Sequence, residues 1–315
     1  MRSFEESSLG PIGAAPKLFR RKRFLVLGGQ GQLGRELQCM SKSDDIDMIL
    51  MGKREADVTD RNVIRRAVEG FAPDVVVNAA AYTQVDEAES QQEAAWNVNC
   101  IGAGFVATAC AAAGIPLIHI STDYVFDGEK RSPYTETDLP GPLCAYGLSK
   151  EAGERAVRSS WSKHVILRTG WLYGRHGRNF LKMVMKLAVE RDKLWIVSDQ
   201  LGNPTTTEDL ATGIMVAGSK VLEGSGLWGT YHFAGCGAAS RYEFARGIVR
   251  AQAAVTGRHP VVAAIQTTEY PTLAKRPPNS RLDSSRFYSS FGMRARSWET
   301  QVSGLVEAVF HDVRT

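Results

Sequence analysis

Phe24-Leu-Val-Leu-Gly28-Gly-Gln-Gly31-Gln-Leu-Gly34 runs from a short apolar stretch into a glycine turn and on into residues with helical spacing. Strand, glycine turn, helix is the setting in which a dinucleotide is held. Glycines permit a tight turn and close approach to a pyrophosphate, and the amides at the helix start attract its negative charge. The spacing is G-x-x-G-x-x-G rather than G-x-G-x-x-G. Its place between strand and helix, more than the glycines, marks Gly28, Gly31, Gln32, Leu33 and Gly34 as cofactor-binding candidates.

The same rhythm continues outward. Strands are predicted at Phe24–Leu27, Met48–Met51, Asp74–Asn78, Leu117–Ser121 and Val165–Thr169. Helices are predicted at Gln32–Met40, from Thr59 or Asp60 to about Glu69, at Ala94–Ala113, and at the segment holding Tyr146. The valine run at 75–77 suits a strand buried on both faces. Alternation of this kind predicts an α/β, Rossmann-type doubly wound parallel sheet. Beyond Gly170 the rhythm loosens into short elements and proline-bearing loops, and Ser240-Arg-Tyr-Glu243 is a capping-box signature. The expected organisation is a loose extension over 1–20, a dinucleotide-binding domain over 21–170, and a smaller, mainly substrate-binding domain over 171–315. Some segments of the latter, a helix at Phe180–Val189 among them, are expected to return to the sheet.

With 315 residues, 43% hydrophobic and 23% charged, the chain reads as one large or two coupled globular domains. A net charge of +4 gives no argument for nucleic acid as a partner. No uninterrupted run of about 18 apolar residues is present, so no membrane span is expected, and the first twenty residues lack a signal-peptide core. Five cysteines at wide spacings, with no C-x-x-C, suit reduced thiols and a cytoplasmic location. The six histidines form no metal-binding pattern, and His119, inside Pro116-Leu-Ile-His-Ile120, is expected to be satisfied in the core.

At the end of the second strand, where an acidic residue would bind the adenosine ribose of NAD, the sequence has Lys53-Arg54. Cations there suit a 2′-phosphate, so NADPH is expected over NADH; the bland reading is two side chains pointing to water. Asp57 and Val58 are placed beside the adenine. The small residues of Asn78-Ala-Ala-Ala-Tyr-Thr83 give Ala80, Ala81, Tyr82 and Thr83 as further cofactor neighbours, or equally as a tight helix–sheet contact. Ser121-Thr-Asp-Tyr-Val-Phe-Asp-Gly128 ends the fourth strand, so Ser121 or Thr122 faces the crevice as a carbonyl ligand, or caps a loop. Tyr146-Gly-Leu-Ser-Lys150 sets a phenol and an ammonium four residues apart, on one face if helical. The ammonium is expected to lower the phenol's pKa and fit it for proton transfer.

These segments, with Arg168-Thr-Gly-Trp171, Asp199-Gln-Leu-Gly-Asn-Pro-Thr205 and Arg276-Pro-Pro-Asn-Ser-Arg-Leu-Asp283, resemble the extended short-chain dehydrogenases/reductases. More narrowly, the chain resembles the dTDP-4-dehydrorhamnose reductase family, from Phe24 nearly to the C-terminus. The resemblance implies NADPH-dependent reduction of the C4 keto group of dTDP-4-dehydro-L-rhamnose. It implies Tyr146 as proton donor, Lys150 as the ribose-binding lysine, Thr122 as the hydroxyl that orients the carbonyl, and Thr122, Asp123 and Trp171 as substrate contacts. Arg276 is a candidate for the diphosphate, a structural ion pair being its alternative. Some bacterial members dimerise around magnesium held by glutamates. Glu36 and Glu208 fall at such positions here, but their counterpart near the C-terminus is Ala308. Glu307, one position away, is turned by ~100° on a helix. A homodimer is therefore carried over from the resemblance, and a complete magnesium site is not. Two other functions share the motifs: a non-catalytic NADP-binding subunit like the regulatory subunit of methionine adenosyltransferase, and another nucleotide-sugar reductase or 4-epimerase.

Overall fold

The computed structural model describes residues 21–41 and 45–314; the expected extension over 1–20 lies outside them. Strands β1 (Lys22–Leu27), β2 (Ile46–Met51), β3 (Val75–Asn78), β4 (Leu117–Thr122) and β5 (His164–Thr169) fall where the sequence places strands. They are joined by β7 (Gly229–His232) in a parallel sheet of order β7-β5-β4-β3-β1-β2. The order reverses between β1 and β3, so a crevice opens beyond their carboxyl ends, at the switch point where open α/β sheets bind ligands.

Side-chain alternation makes the sheet two-faced. Phe24 and Val26 of β1 and Val75 and Val77 of β3 enter one core cluster; Leu25, Leu27 and Val76 enter the other. All are fully buried, each worth about 1.5–3 kcal/mol of apolar burial. The first face is covered by α1 (Gln32–Met40), α6 (Thr207–Leu222) and α8 (Ser285–Phe291). The second is covered by α2 (Arg61–Phe71) and α3 (Gln92–Ala113). Asp60 caps α2 by accepting from the amides of Asn62 (2.8 Å) and Val63 (3.1 Å).

By length and mean hydropathy (1.2) α3 could cross a membrane, which the sequence reading had not expected. Here it lies against the sheet between α2 and α4 (Ala145–Ser160), with Ala95, Asn99, Val106 and Cys110 buried, as a core helix does. A π-turn at Asn97–Gly102 interrupts it.

A third core stands apart from the sheet. The expectation that Phe180–Val189 packs on the sheet is overturned. This helix, α5 (Phe180–Glu190), turns Leu181, Val184 and Met185 toward Phe244 and Ile248 of α7 (Arg241–Thr256). Its apolar stripe matches that of α7 and the C-terminal α9 (Trp298–Arg314), which leaves it no face for the sheet. Strands β6 (Lys193–Val197) and β8 (Val261–Ile265) pair in parallel beside it. Ser240 and Glu243 complete the capping box that opens α7.

Candidate active site

Gly28 has φ +83°, a left-handed conformation, and a Cβ added there would lie 2.6 Å from the Ala80 nitrogen. Only glycine lets the turn after β1 press against the end of β3. A Cβ at Gly34 would lie 2.5 Å from the Gly29 backbone, so this glycine seats α1 on the turn. Gly31 is the N-cap of α1; no side chain caps it and no acidic residue occupies the first turn. The amides there face the cleft with their positive end open to an anion. This glycine cradle and bare helix start fit a dinucleotide pyrophosphate.

A cleft of about 620 Å³ runs from this turn to the end of β4. Gly28, Gly31, Gln32, Leu33, Gly34, Ala81 and Thr83 line it, and so do Thr122, Asp123, Tyr146, Lys150 and Trp171. The structure therefore gathers most of the expected cofactor and substrate positions around one space. Ala80 and Tyr82 are outside the lining; Ala80 is pressed against Gly28, and the Tyr82 amide donates to Asn99 Oδ1 at 2.8 Å. The π-turn in α3 carries this asparagine, whose Nδ2 also donates to the Tyr82 carbonyl (3.0 Å) and to Ser149 Oγ (3.0 Å). One amide side chain thereby ties the loop after β3 to α4.

The adenine-end residues lie apart. Lys53 and Arg54 are exposed on the turn after β2, and Lys53 sits 3.8 Å from Asp57. Asp57 accepts from Thr59, and Val58 is buried against Gly102 rather than facing the cleft.

At the catalytic end, α4 begins at Ala145, so Tyr146 and Lys150 share a face one turn apart. Lys150 is 2% exposed and donates to the Ile120 carbonyl at 2.6 Å. Burial holds its pKa down at about 8, against the raising effect of Glu154. The expected lowering of the phenol does not follow. Burial pushes Tyr146 above the usual tyrosine range, with only the nearby Thr122 hydroxyl acting strongly against the rise. The phenol is thus a protonated donor at neutral pH. Its ring meets Tyr124 edge-on at 5.9 Å.

The two hydroxyls ending β4 have separate tasks. Ser121 donates to Glu154 at 2.6 Å and is committed to the core. Thr122 accepts from the Tyr124 amide (3.2 Å), capping a short turn, and donates to Asp123 Oδ1 (3.1 Å) while lining the cleft. Asp123 is buried, its Oδ2 has no partner, and burial pushes its pKa up to about 6. His119 is only half satisfied. Nδ1 meets Asn78 Nδ2 at 3.2 Å and Nε2 has no partner, where the sequence suggested a satisfied core histidine.

A second, larger compartment of about 1300 Å³ adjoins the first. The two share Thr83, Gln84, Val85, Tyr124, Gly177, Arg178 and Arg241. Arg276 lies in the second, where it is held by Asp86 through two hydrogen bonds (2.6 and 3.1 Å). Trp171, at φ +49°, places its indole under the Arg241 guanidinium at 3.5 Å. Sequence reading missed Arg241. Its one local signal is a cation in the first turn of a helix, against the helix dipole.

Glu36 accepts from Thr207 Oγ1 (2.7 Å), and Glu208 pairs with Arg296 (2.9 Å). Among the described residues no three His, Cys, Asp or Glu side chains gather as metal ligands.

A family model described as RmlD substrate binding domain matches residues 22–310. A dTDP-4-dehydrorhamnose reductase of Sinorhizobium fredii (strain NBRC 101917 / NGR234) is 41% identical over 289 residues, 91% of this chain and 97% of that protein. The chain belongs to the dTDP-4-dehydrorhamnose reductase family. Similarity within and around this reductase family extends to a dTDP-4-keto-6-deoxy-D-glucose reductase of Streptomyces niveus, 40% identical over 237 residues, 75% of this chain and 81% of that one. Among solved structures, the dTDP-4-dehydrorhamnose reductase of Bacillus anthracis str. Ames in complex with NADP superposes with a TM-score of 0.83 at 34% identity, over 93% of this chain and 99% of that one.

Proposed function

We propose that this chain reduces the C4 keto group of dTDP-4-dehydro-L-rhamnose to give dTDP-L-rhamnose, the last step in making that nucleotide sugar, with NADPH preferred over NADH. One observation carries the reading. The Tyr146 phenol, the Thr122 hydroxyl and the Lys150 ammonium share a cleft with the glycine turn, and a second compartment adjoins it.

When bound, the reduced nicotinamide supplies a hydride to C4. Thr122, at the mouth of β4, orients the carbonyl oxygen. Tyr146 gives its proton to that oxygen as negative charge develops there, for which a phenol kept protonated by burial is suited. Lys150, one turn along α4 from Tyr146 and anchored on the Ile120 carbonyl, would hold the ribose. Gly28, Gly31 and the start of α1 hold the pyrophosphate. The cofactor carries the hard chemistry; the chain supplies position and charge.

On this reading residues 21–170 hold the cofactor, and residues 171–315, with their separate core, mainly hold the sugar nucleotide. The five cysteines are free thiols, which suits the cytoplasm. No nucleic acid or membrane enters the reaction, and a homodimer is carried over from the family resemblance.

The test supplies dTDP-4-dehydro-L-rhamnose and NADPH and identifies the product sugar. NADPH consumption yielding dTDP-L-rhamnose supports the reading. Binding of NADPH without consumption supports a non-catalytic subunit instead. The Streptomyces niveus relative favours one further reading, the same chemistry on dTDP-4-keto-6-deoxy-D-glucose. Faster turnover of that sugar would establish it.

A further inference from the structure

Arg241 stands at the neck where the two compartments of the cleft meet, since it lines both. It is the first residue of α7, positioned by the Ser240–Glu243 capping box. Its guanidinium lies 3.5 Å from the centre of the Trp171 ring and 5.2 Å from that of Phe180. Two aromatic faces thus fix the plane of the guanidinium. The polar groups near it are the Tyr124 hydroxyl, the Asp123 carboxyl and a second guanidinium, that of Arg276. Arg241 is half-buried and lines both compartments, so its side chain is reached from the cleft. Arg178, the other cation shared by both compartments, is exposed. Arg276 is already held by Asp86.

A sugar whose carbonyl reaches Tyr146 occupies the first compartment, and its nucleoside occupies the second. The diphosphate between them must cross the neck. A planar guanidinium, braced by stacking and short of acceptors, is suited to two phosphate oxygens at once. We propose that Arg241 is the residue that grips the diphosphate of the nucleotide sugar as it crosses between the compartments, with Trp171 as its positioning residue. The inference rests on the reductase reading above and deepens it: it names the group that makes the site selective for a sugar diphosphate over a free sugar. The cofactor cradle lies at the glycine turn and does not involve Arg241.

The experiment measures binding, so it stands apart from turnover. Titrate the wild-type chain, Arg241→Gln and Arg241→Lys with dTDP, with thymidine and with NADPH. In Arg241→Gln the dTDP affinity should fall about 10- to 100-fold, the range of a lost charge-assisted pair of hydrogen bonds. Thymidine and NADPH affinities should stay within about twofold, which also shows that the variant is folded. Arg241→Lys keeps a charge without the fork, and its dTDP affinity should lie between the two. With substrate, Arg241→Gln should raise KM far more than it lowers kcat. Equal dTDP affinity in Arg241→Gln and wild type overturns the proposal and leaves the reductase reading standing. Failure of the wild-type chain to bind dTDP at all overturns both.

Discussion

Glu154 of α4 holds Arg168 of β5 in a two-pronged ion pair at 2.8 and 2.7 Å, and neither side chain is more than 2% exposed. The same carboxylate accepts from Ser121 of β4 at 2.6 Å, and Arg168 nitrogens hold it well within the ionised form despite burial. One buried anion therefore fixes α4 against the carboxyl ends of two strands. Those are the elements that carry Tyr146, Lys150 and Thr122. Removing one partner leaves an uncompensated charge, at a cost of about 3–5 kcal/mol. Glu154→Ala should lower unfolding stability by that amount, read from the urea midpoint. A loss below about 1 kcal/mol would show that the pair is not what binds these elements together.

Lys150 gives a pH signature in the cofactor-free protein. Its folded pKa is about 8, below its ordinary 10.5. Between those values the unfolded chain binds more protons, so the Lys150 contribution makes stability rise as pH climbs from about 8 to about 10.5. Lys150→Met should flatten that part of the stability profile and weaken NADPH binding. An unchanged slope would place the ammonium in water rather than in the core.

Asp123 works in the opposite sense. Burial raises its pKa from 3.8 to about 6. The folded chain holds the proton more tightly, so this stabilising contribution is full below pH 3.8 and is lost as pH rises through about 6. Asp123→Asn should remove that decline, measured by denaturant unfolding between pH 4 and 7. The same decline in the variant would assign it to another group.

The parts of this site that lie close along the chain were legible in the sequence. Gly28 to Gly34 fixed strand, turn and helix locally. Tyr146 and Lys150 needed only helical geometry to share a face. The hydroxyl of Thr122 needed only the rule that strand ends face the crevice, whereas nothing local told it from Ser121, whose hydroxyl goes to Glu154. What stayed hidden depends on contacts between distant segments. Arg276 meets Asp86 across 190 positions, and Arg241 meets Trp171 across 70. The direction of Lys150, toward the Ile120 carbonyl rather than the phenol, is set by where β4 lies beneath α4. An apolar stripe says that α5 is buried, but not whether against the sheet or against α7.

The central claim is that Tyr146 delivers the proton to the C4 oxygen. It is tested most directly by single-turnover reduction of dTDP-4-dehydro-L-rhamnose, with NADPH prebound, in wild type and Tyr146→Phe. The variant should bind NADPH as wild type does, yet reduce the sugar at least ~10²-fold more slowly, the scale of a lost general acid. A Tyr146→Phe protein that turns over near the wild-type rate would contradict the account.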